Sequence, residues 1–112
     1  MAADPLCTDP DKYQVIFEND RVRLLEYRDL PGEKTLPHQH PDSVMYTLSA
    51  FQRRLYADQR TRDVVMELGR VHWLPAQTHA GENTGTTPTH VLFVELKETP
   101  AIGPSHPAIG PS

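Results

Sequence analysis

The sequence predicts an all-β domain, built as a β-sandwich or as a closed barrel. From residue 13 onward, short runs rich in β-branched and aromatic residues alternate with turn signals about every 8–12 residues. Within residues 23–28 no helical stripe appears, whereas the alternation of a strand fits. Many short strands at even spacing are typical of sandwiches and barrels, and closure of the sheet removes the edges that would promote aggregation.

The composition narrows the class of protein further. The chain has 112 residues, which suffices for one domain with a single core. Its 11 basic and 15 acidic side chains are interspersed and give a formal net charge of −4, so we expect no nucleic-acid or membrane partner. Cys7 is the single cysteine and excludes an intramolecular disulfide. Neither a signal-peptide pattern nor an apolar run of about 20 residues is present, so we expect a cytoplasmic location.

Turn residues separate the predicted strands. Pro31-Gly32-Glu33 precedes the third strand, and Pro41-Asp42-Ser43 follows it. Gly69-Arg70 is a candidate two-residue hairpin, and residues 81–88 are predicted to form a loop rich in Gly, Asn and Thr. A helix over residues 55–68 is the alternative, but its polar middle and its apolar block favour two strands. The predicted strands span residues 13–17, 21–30, 34–40, 44–49, 51–56, 63–68, 71–74 and 89–96.

Two terminal segments lie outside the predicted barrel, which spans residues 13–98. Residues 1–12 are polar, contain two prolines and are predicted to form an extended or frayed N-terminal arm. Residues 99–112 contain the hexapeptide Pro-Ala-Ile-Gly-Pro-Ser twice, with His106 between the two copies. The prolines and glycines of this repeat exclude a regular ladder or helix, so we predict a flexible or polyproline-like C-terminal tail.

His38 and His40 carry the most chemical information in the chain. On a strand, residues i and i+2 point to the same face, with Cα atoms about 6.6 Å apart. This spacing lets both imidazoles bind one ion at about 2.1 Å, provided that a third ligand comes from elsewhere in the fold. His79 is the natural third ligand. The alternative is that these are ordinary strand histidines without a metal.

The spacing around these histidines resembles the two sequence motifs of the cupin family. The matching residues are Gly32, His38 and His40 in the first motif and Gly69, Pro75, His79 and Asn83 in the second. The resemblance covers about residues 13–97. It implies a single-domain jelly-roll barrel of two antiparallel sheets, with about six to eight strands, a divalent metal inside the barrel and often a homodimer.

The chain departs from the family pattern at two places. Where the first motif has a glutamate, this chain has Val44 and Met45, which cannot bind a hard cation and would instead form an apolar wall. In the second motif, Gln77 stands where the family has glycine, and His79 comes one residue early. Three neutral imidazoles leave the full dipositive charge on a metal, which favours an anionic bidentate ligand. Gln77, Glu82 or water are the candidates for a fourth ligand.

The metal follows from the ligand set and from the resemblance. Imidazoles suit Fe, Zn, Cu and Ni, and affinity alone does not choose among them. Because cupin oxygenases with three histidines use Fe(II), the resemblance implies a divalent transition metal, with Fe(II) favoured and Zn, Mn, Ni or Cu as alternatives. It also implies a non-heme dioxygenase-like enzyme that acts on a small anionic chelating metabolite.

Arginines are the next candidates for the site. Arg53 and Arg54 are neighbours on one strand, so one of them must face inward if that strand lines the barrel. A buried arginine would bind a substrate carboxylate, and Arg53 is our candidate for this role. The alternative is an arginine at the rim, paired with Asp58 or Glu67.

Two further side chains are candidates for catalysis. His90 begins the last strand and would act as a proton shuttle if it reached the barrel interior, whereas the alternative is a surface histidine. Tyr46, like Tyr56, would donate a hydroxyl to substrate, whereas the alternative is a core tyrosine with a satisfied hydroxyl. His72 alternates with its apolar neighbours on its strand and is expected at the surface or in support of the site.

Three functions remain open at this point. The first, which we favour, is the Fe(II) dioxygenase-like enzyme. The second is a non-redox isomerase, lyase or decarboxylase that uses Zn²⁺ or Mn²⁺ as a Lewis acid. The third is a non-catalytic protein that binds a metabolite or a metal.

Overall fold

The structure is a computed structural model, and it describes residues 3–97. Within this range the chain forms one short helix and nine strands. No helix in this range is long and apolar enough to cross a membrane. The elements are α1 (Pro5–Thr8), β1 (Tyr13–Glu18), β2 (Val22–Asp29), β3 (His38–His40), β4 (Ser43–Thr47), β5 (Phe51–Ala57), β6 (Arg60–Met66), β7 (Val71–Leu74), β8 (Gln77–Asn83) and β9 (Thr89–Leu96).

The strands form two antiparallel sheets that face each other. One has five strands in the order β1-β2-β9-β4-β7, and the other has four in the order β3-β8-β5-β6. The chain passes repeatedly from one sheet to the other, as the predicted double-sheet jelly roll requires. The predicted all-β class is therefore confirmed.

The core lies between the inner faces of the two sheets. Alternation along β9 points Val91 inward, and Leu25 of β2 and Phe51 of β5 meet it there. Met45 and the aromatic rings of Tyr13 and Tyr27 complete the buried apolar cluster. One contiguous core of this size is what a single domain of this length can bury.

The structure corrects the predicted loop over residues 81–88. Strand β8 runs to Asn83, so the first three residues of that loop are part of a strand. The sequence hid this strand because its inner face carries polar and small residues. One of them is Gly81, where a Cβ atom would lie 2.7 Å from Nη2 of Arg53.

The predicted hairpin at Gly69-Arg70 is also wrong. The strands before and after it, β6 and β7, belong to different sheets, so this turn carries the chain across the core. Gly69 has a φ of 77°, which favours glycine. The third predicted strand is shorter than expected, since β3 begins after Pro37, which cannot donate a backbone hydrogen bond.

The N-terminal segment is structured rather than extended or frayed. Asp4 caps α1 by accepting a hydrogen bond from Leu6 N–H at 2.9 Å, and it forms an ion pair with Arg23 at 2.7 Å. Asp9 is buried, and its carboxylate accepts from Leu36 N–H at 3.1 Å. The predicted arm is therefore packed against the barrel from residue 3 onward. The predicted tail over residues 99–112 lies outside the described residues.

Candidate metal centre

Strands β3 and β8 bring the three predicted histidines together. His38 is directly opposite His79 in the ladder, and His40 is opposite Gln77. Alternation turns His38 and His40 inward, where they are 2% and 6% exposed, while Gln39 between them faces solvent. The candidate ligand nitrogens of the three histidines all lie within 4.8 Å of one another. The predicted cluster is thus present, on the inner face of the four-stranded sheet.

Oxygen acceptors occupy the Nδ1 side of two of the three rings. His38 Nδ1–H donates to the carbonyl oxygen of Leu36 at 2.9 Å, and His79 Nδ1–H donates to Oε1 of Gln77 at 3.1 Å. A neutral imidazole that donates from Nδ1 presents a lone pair at Nε2, which is the form that binds a metal.

The Nε2 atoms converge in a way that fits a metal ion. Nε2 of His40 and of His79 are 2.8 Å apart, and Nε2 of His38 is buried without a hydrogen-bond partner among the described residues. A buried acceptor without a partner is costly, and two facing lone pairs repel each other. Two nitrogens bound to one ion at about 2.1 Å and at right angles are about 3.0 Å apart. The donor set therefore fits a divalent transition metal.

The electrostatic environment keeps these rings neutral. Burial, followed by the neighbouring imidazole of His38, lowers the pKa of His40 to about 4. Burial, followed by His40 and then His38, lowers the pKa of His79 to about 3. Burial also lowers the pKa of His38. Neutral imidazoles are the ligand form, so no proton has to be removed near pH 7.

A mostly apolar cavity of about 90 Å³ lies beside the histidines, between the two sheets. His38 and His79 form part of its wall, and Met45 forms an apolar part, as predicted. Phe93 also lines it, with its ring centroid 6.2 Å from that of His40. Within residues 3–97, the metal-ligating cluster contains no carboxylate.

Arg53 faces inward, but it is not free to bind a substrate. Its Nη1–H donates to Oδ2 of Asp29 at 2.5 Å, and its side chain is only 10% exposed. Asp29 also accepts from the hydroxyl of Tyr27 at 2.5 Å and from Nδ2 of Asn83 at 3.0 Å. Arg54 faces outward and pairs with Asp63 at 2.7 Å. One arginine thus points inward as predicted. Its partner is Asp29, and not Asp58 or Glu67, the two acids that the alternative placed at the rim.

His90 does not reach the barrel interior, so this prediction is wrong. Thr89 and Val91 line the cavity, and alternation along β9 turns His90 to the outer face of its sheet. There its Nε2 lies 2.6 Å from Oε2 of Glu26. The side chain therefore has no path to the three histidines.

The predicted substrate-binding tyrosines also point away from the cavity. Tyr46 is 41% exposed, because Met45 beside it on β4 faces inward. Tyr56 donates its hydroxyl to Oε1 of Glu82 at 2.5 Å, on the outer face of the four-stranded sheet. This pairing also removes Glu82 from the candidates for a fourth ligand.

Gln77 and His72 are the remaining residues for which the sequence made a prediction, and both lie on the inner faces of the sheets. Gln77 is near the site, but its amide group binds His79 and the carbonyl oxygen of Pro75. His72 faces the side opposite to Val71 and Trp73 as predicted, since it pairs with Met45. The carbonyl oxygen of Leu36, which accepts from His38, was not predicted, because a main-chain carbonyl carries no sequence signal.

Comparisons with known proteins agree on the fold. No protein-family model and no curated protein sequence matches the chain. A cupin domain protein from Bordetella pertussis Tohama I is similar in structure, with 24% identity and a TM-score of 0.72 over 77% of this chain and 92% of that one. An RmlC-like cupin family protein from Methanocaldococcus jannaschii, with a double-stranded β-helix fold, has 13% identity and a TM-score of 0.60 over 75% and 77% of the two chains.

A third solved structure is a named enzyme. The polyketide cyclase RemF from Streptomyces resistomycificus is 24% identical, with a TM-score of 0.57 over 77% of this chain and 64% of that one. At these identities the likeness shows the fold. The predicted double-sheet barrel is thus found in the solved structures that this chain resembles.

Proposed function

We propose that this chain, which has the cupin fold, binds a divalent transition metal through His38, His40 and His79 and acts as a dioxygenase-like enzyme. Fe(II) is the favoured metal, and the substrate is a small anionic chelating metabolite. The observation that carries the proposal is the convergence of one ring nitrogen from each of the three histidines within 4.8 Å, without a carboxylate in the described cluster. An anionic ligand would supply the charge that this ligand set lacks.

The side chains around the histidines have defined roles in this proposal. Leu36 and Gln77 orient two of the rings through their Nδ1 atoms. The apolar wall, which includes Met45 and Phe93, excludes water from the inner side of the site. A divalent metal would supply Lewis acidity there and, in the case of iron, redox chemistry with oxygen.

Metal content tests the first half of the proposal. Elemental analysis of protein purified without chelator is expected to show one divalent metal per chain in the wild type. His38→Ala and His79→Ala are expected to lose it, whereas His90→Ala on the outer face serves as the control. Full metal retention in both ligand variants would overturn the assigned site.

Oxygen uptake tests the second half. The protein is reconstituted with Fe(II) without oxygen and is then exposed to oxygen with a panel of small chelating acids. Uptake that depends on the acid and exceeds that of free iron supports the dioxygenase. Uptake no greater than that of free iron contradicts the dioxygenase. The metal site would then serve a non-redox function.

The alternative is a non-redox isomerase, lyase or decarboxylase that uses Zn or Mn. The observation in its favour is that a polyketide cyclase shares the fold. Activity that survives replacement of iron by zinc without oxygen would select this alternative. Tight binding of a metabolite without turnover would instead select a non-catalytic binding protein.

Homodimer formation also stays a prediction, which light scattering on the purified protein would measure.

A further inference from the structure

An open groove leads from the protein surface to His79. Its wall includes Arg60, Arg62 and Asp58, and it shares Leu55, Gln77 and His79 with the inner cavity. The groove and the cavity therefore meet at the candidate metal centre, one on the solvent side and one inside the barrel. A ligand held at the histidines would face both.

The register of the four-stranded sheet places two arginines on the same face as the site. Val64 and Met66 of β6 line the inner cavity, so alternation puts Arg60 and Arg62 on that face as well. Arg62 is opposite Leu55, which is itself opposite Gly81, two residues from His79 along β8. Both arginines are thus two strands from His79, with Cα atoms about 10–12 Å from that of the histidine at the usual strand spacing and rise. A small ligand and an extended arginine side chain together span this distance.

The charges of these arginines are not neutralised by the rest of the described chain. Within residues 3–97 neither Arg60 nor Arg62 forms an ion pair, and both are exposed. With Asp58, the two arginines give the groove a net formal charge of 2 − 1 = +1. Arg53 differs in this respect, because Asp29 already binds its guanidinium inside the barrel. A second negative charge on a ligand is therefore accommodated on the groove side and not in the cavity.

We propose that Arg60 and Arg62 bind a second anionic group of the substrate, whose chelating end is held at the three histidines. The substrate class is then a small dianion with a chelating head and a separate carboxylate or comparable group that extends into the groove. This inference rests on the proposed function and assigns its substrate specificity to two residues outside the metal cluster.

A matched pair of probes tests the inference without turnover. Zn²⁺-loaded protein is titrated by calorimetry with 2-oxoglutarate and with 2-oxopentanoate, which has the same chain length but a methyl group in place of the second carboxylate. Two exposed ion pairs predict that the dianion binds about fivefold more tightly to the wild type. The double variant Arg60→Gln/Arg62→Gln is expected to lose this preference and to bind 2-oxopentanoate as the wild type does.

The controls separate this inference from the proposed metal site. The double variant Arg54→Gln/Arg70→Gln removes the same charge from outside the groove and is expected to keep the preference. Equal affinity of the wild type for both acids, no binding of either acid, or a preference that survives in Arg60→Gln/Arg62→Gln would overturn the inference. Failure to load Zn²⁺, measured before any acid is added, would overturn the proposed function together with the inference.

Discussion

The carbonyl oxygen of Leu36 and the amide oxygen of Gln77 determine which ring nitrogens of two histidines are available to a metal. Each accepts a hydrogen bond from an Nδ1–H group, at 2.9 and 3.1 Å respectively. A single hydrogen bond of this kind fixes both the tautomer and the rotation of the ring. At the scale of one residue, the site thus depends on a main-chain carbonyl and a side-chain amide that are not among the three proposed metal ligands.

Gln77→Met is expected to weaken metal binding about tenfold, because His79 loses the acceptor that orients it. Competition with a chelating dye for Zn²⁺ measures the change. Gln39→Met is the control, since Gln39 lies on the neighbouring strand and faces solvent. An equal loss of affinity in both variants would contradict the orienting role of Gln77.

Strand β3 carries two of the three histidines but has only three residues. It pairs with β8 on one side, and Gln39 N–H donates to the carbonyl oxygen of Ala3 at 3.0 Å on the other. Asp9 then binds Leu36 N–H just before the strand. The N-terminal segment is therefore part of what holds this element in place.

Asp9→Ala is expected to lower the free energy of unfolding by about 1–3 kcal/mol, because Leu36 N–H loses the hydrogen bond that it donates to the buried carboxylate of Asp9. Urea denaturation of the metal-free protein measures this change. Asp11→Ala, at a side chain that is 71% exposed, is expected to change stability by less than about 0.5 kcal/mol. If the two variants were equally stable, the N-terminal segment would not hold β3 as described.

At the scale of the whole molecule, one buried ion pair links the two sheets. Asp29 ends β2 in the five-stranded sheet, and Arg53 lies on β5 in the four-stranded sheet. Asn83 of the second sheet also donates to Asp29. Burial of two charges is costly, but removal of one partner leaves the other uncompensated, which is costlier still.

Asp29→Asn is expected to destabilise the fold by about 3–5 kcal/mol, because the buried guanidinium of Arg53 loses its counter-charge. Asp63→Asn, which breaks the exposed pair with Arg54, is expected to cost less than about 1 kcal/mol. Urea denaturation compares the two variants. Similar losses would mean that the link between the sheets contributes no more than a surface pair.

Two features were predicted wrongly from the sequence, namely the orientation of His90 and the extent of β8, because both depend on contacts between distant residues. Strand β9 is apolar on both faces, with Leu92 and Val94 outside and Val91 and Phe93 inside, so its pattern did not show where His90 would point. Strand β8 is polar on its inner face and was therefore predicted in part as a loop. Both errors occur where a strand lacks the one-sided apolar pattern that reveals its orientation.

The sequence by itself determined the strand character of most of the barrel, the turns around Gly32 and Pro41 and the pair formed by His38 and His40, because these depend on neighbours along the chain. Only the tertiary structure decided that His79 lies opposite His38 and that Asp29 neutralises Arg53. These contacts join strands that are distant in sequence, and their identity depends on the pairing order of the sheets. Local patterns specify a strand, whereas the partner of a strand is chosen by the packing of the whole barrel.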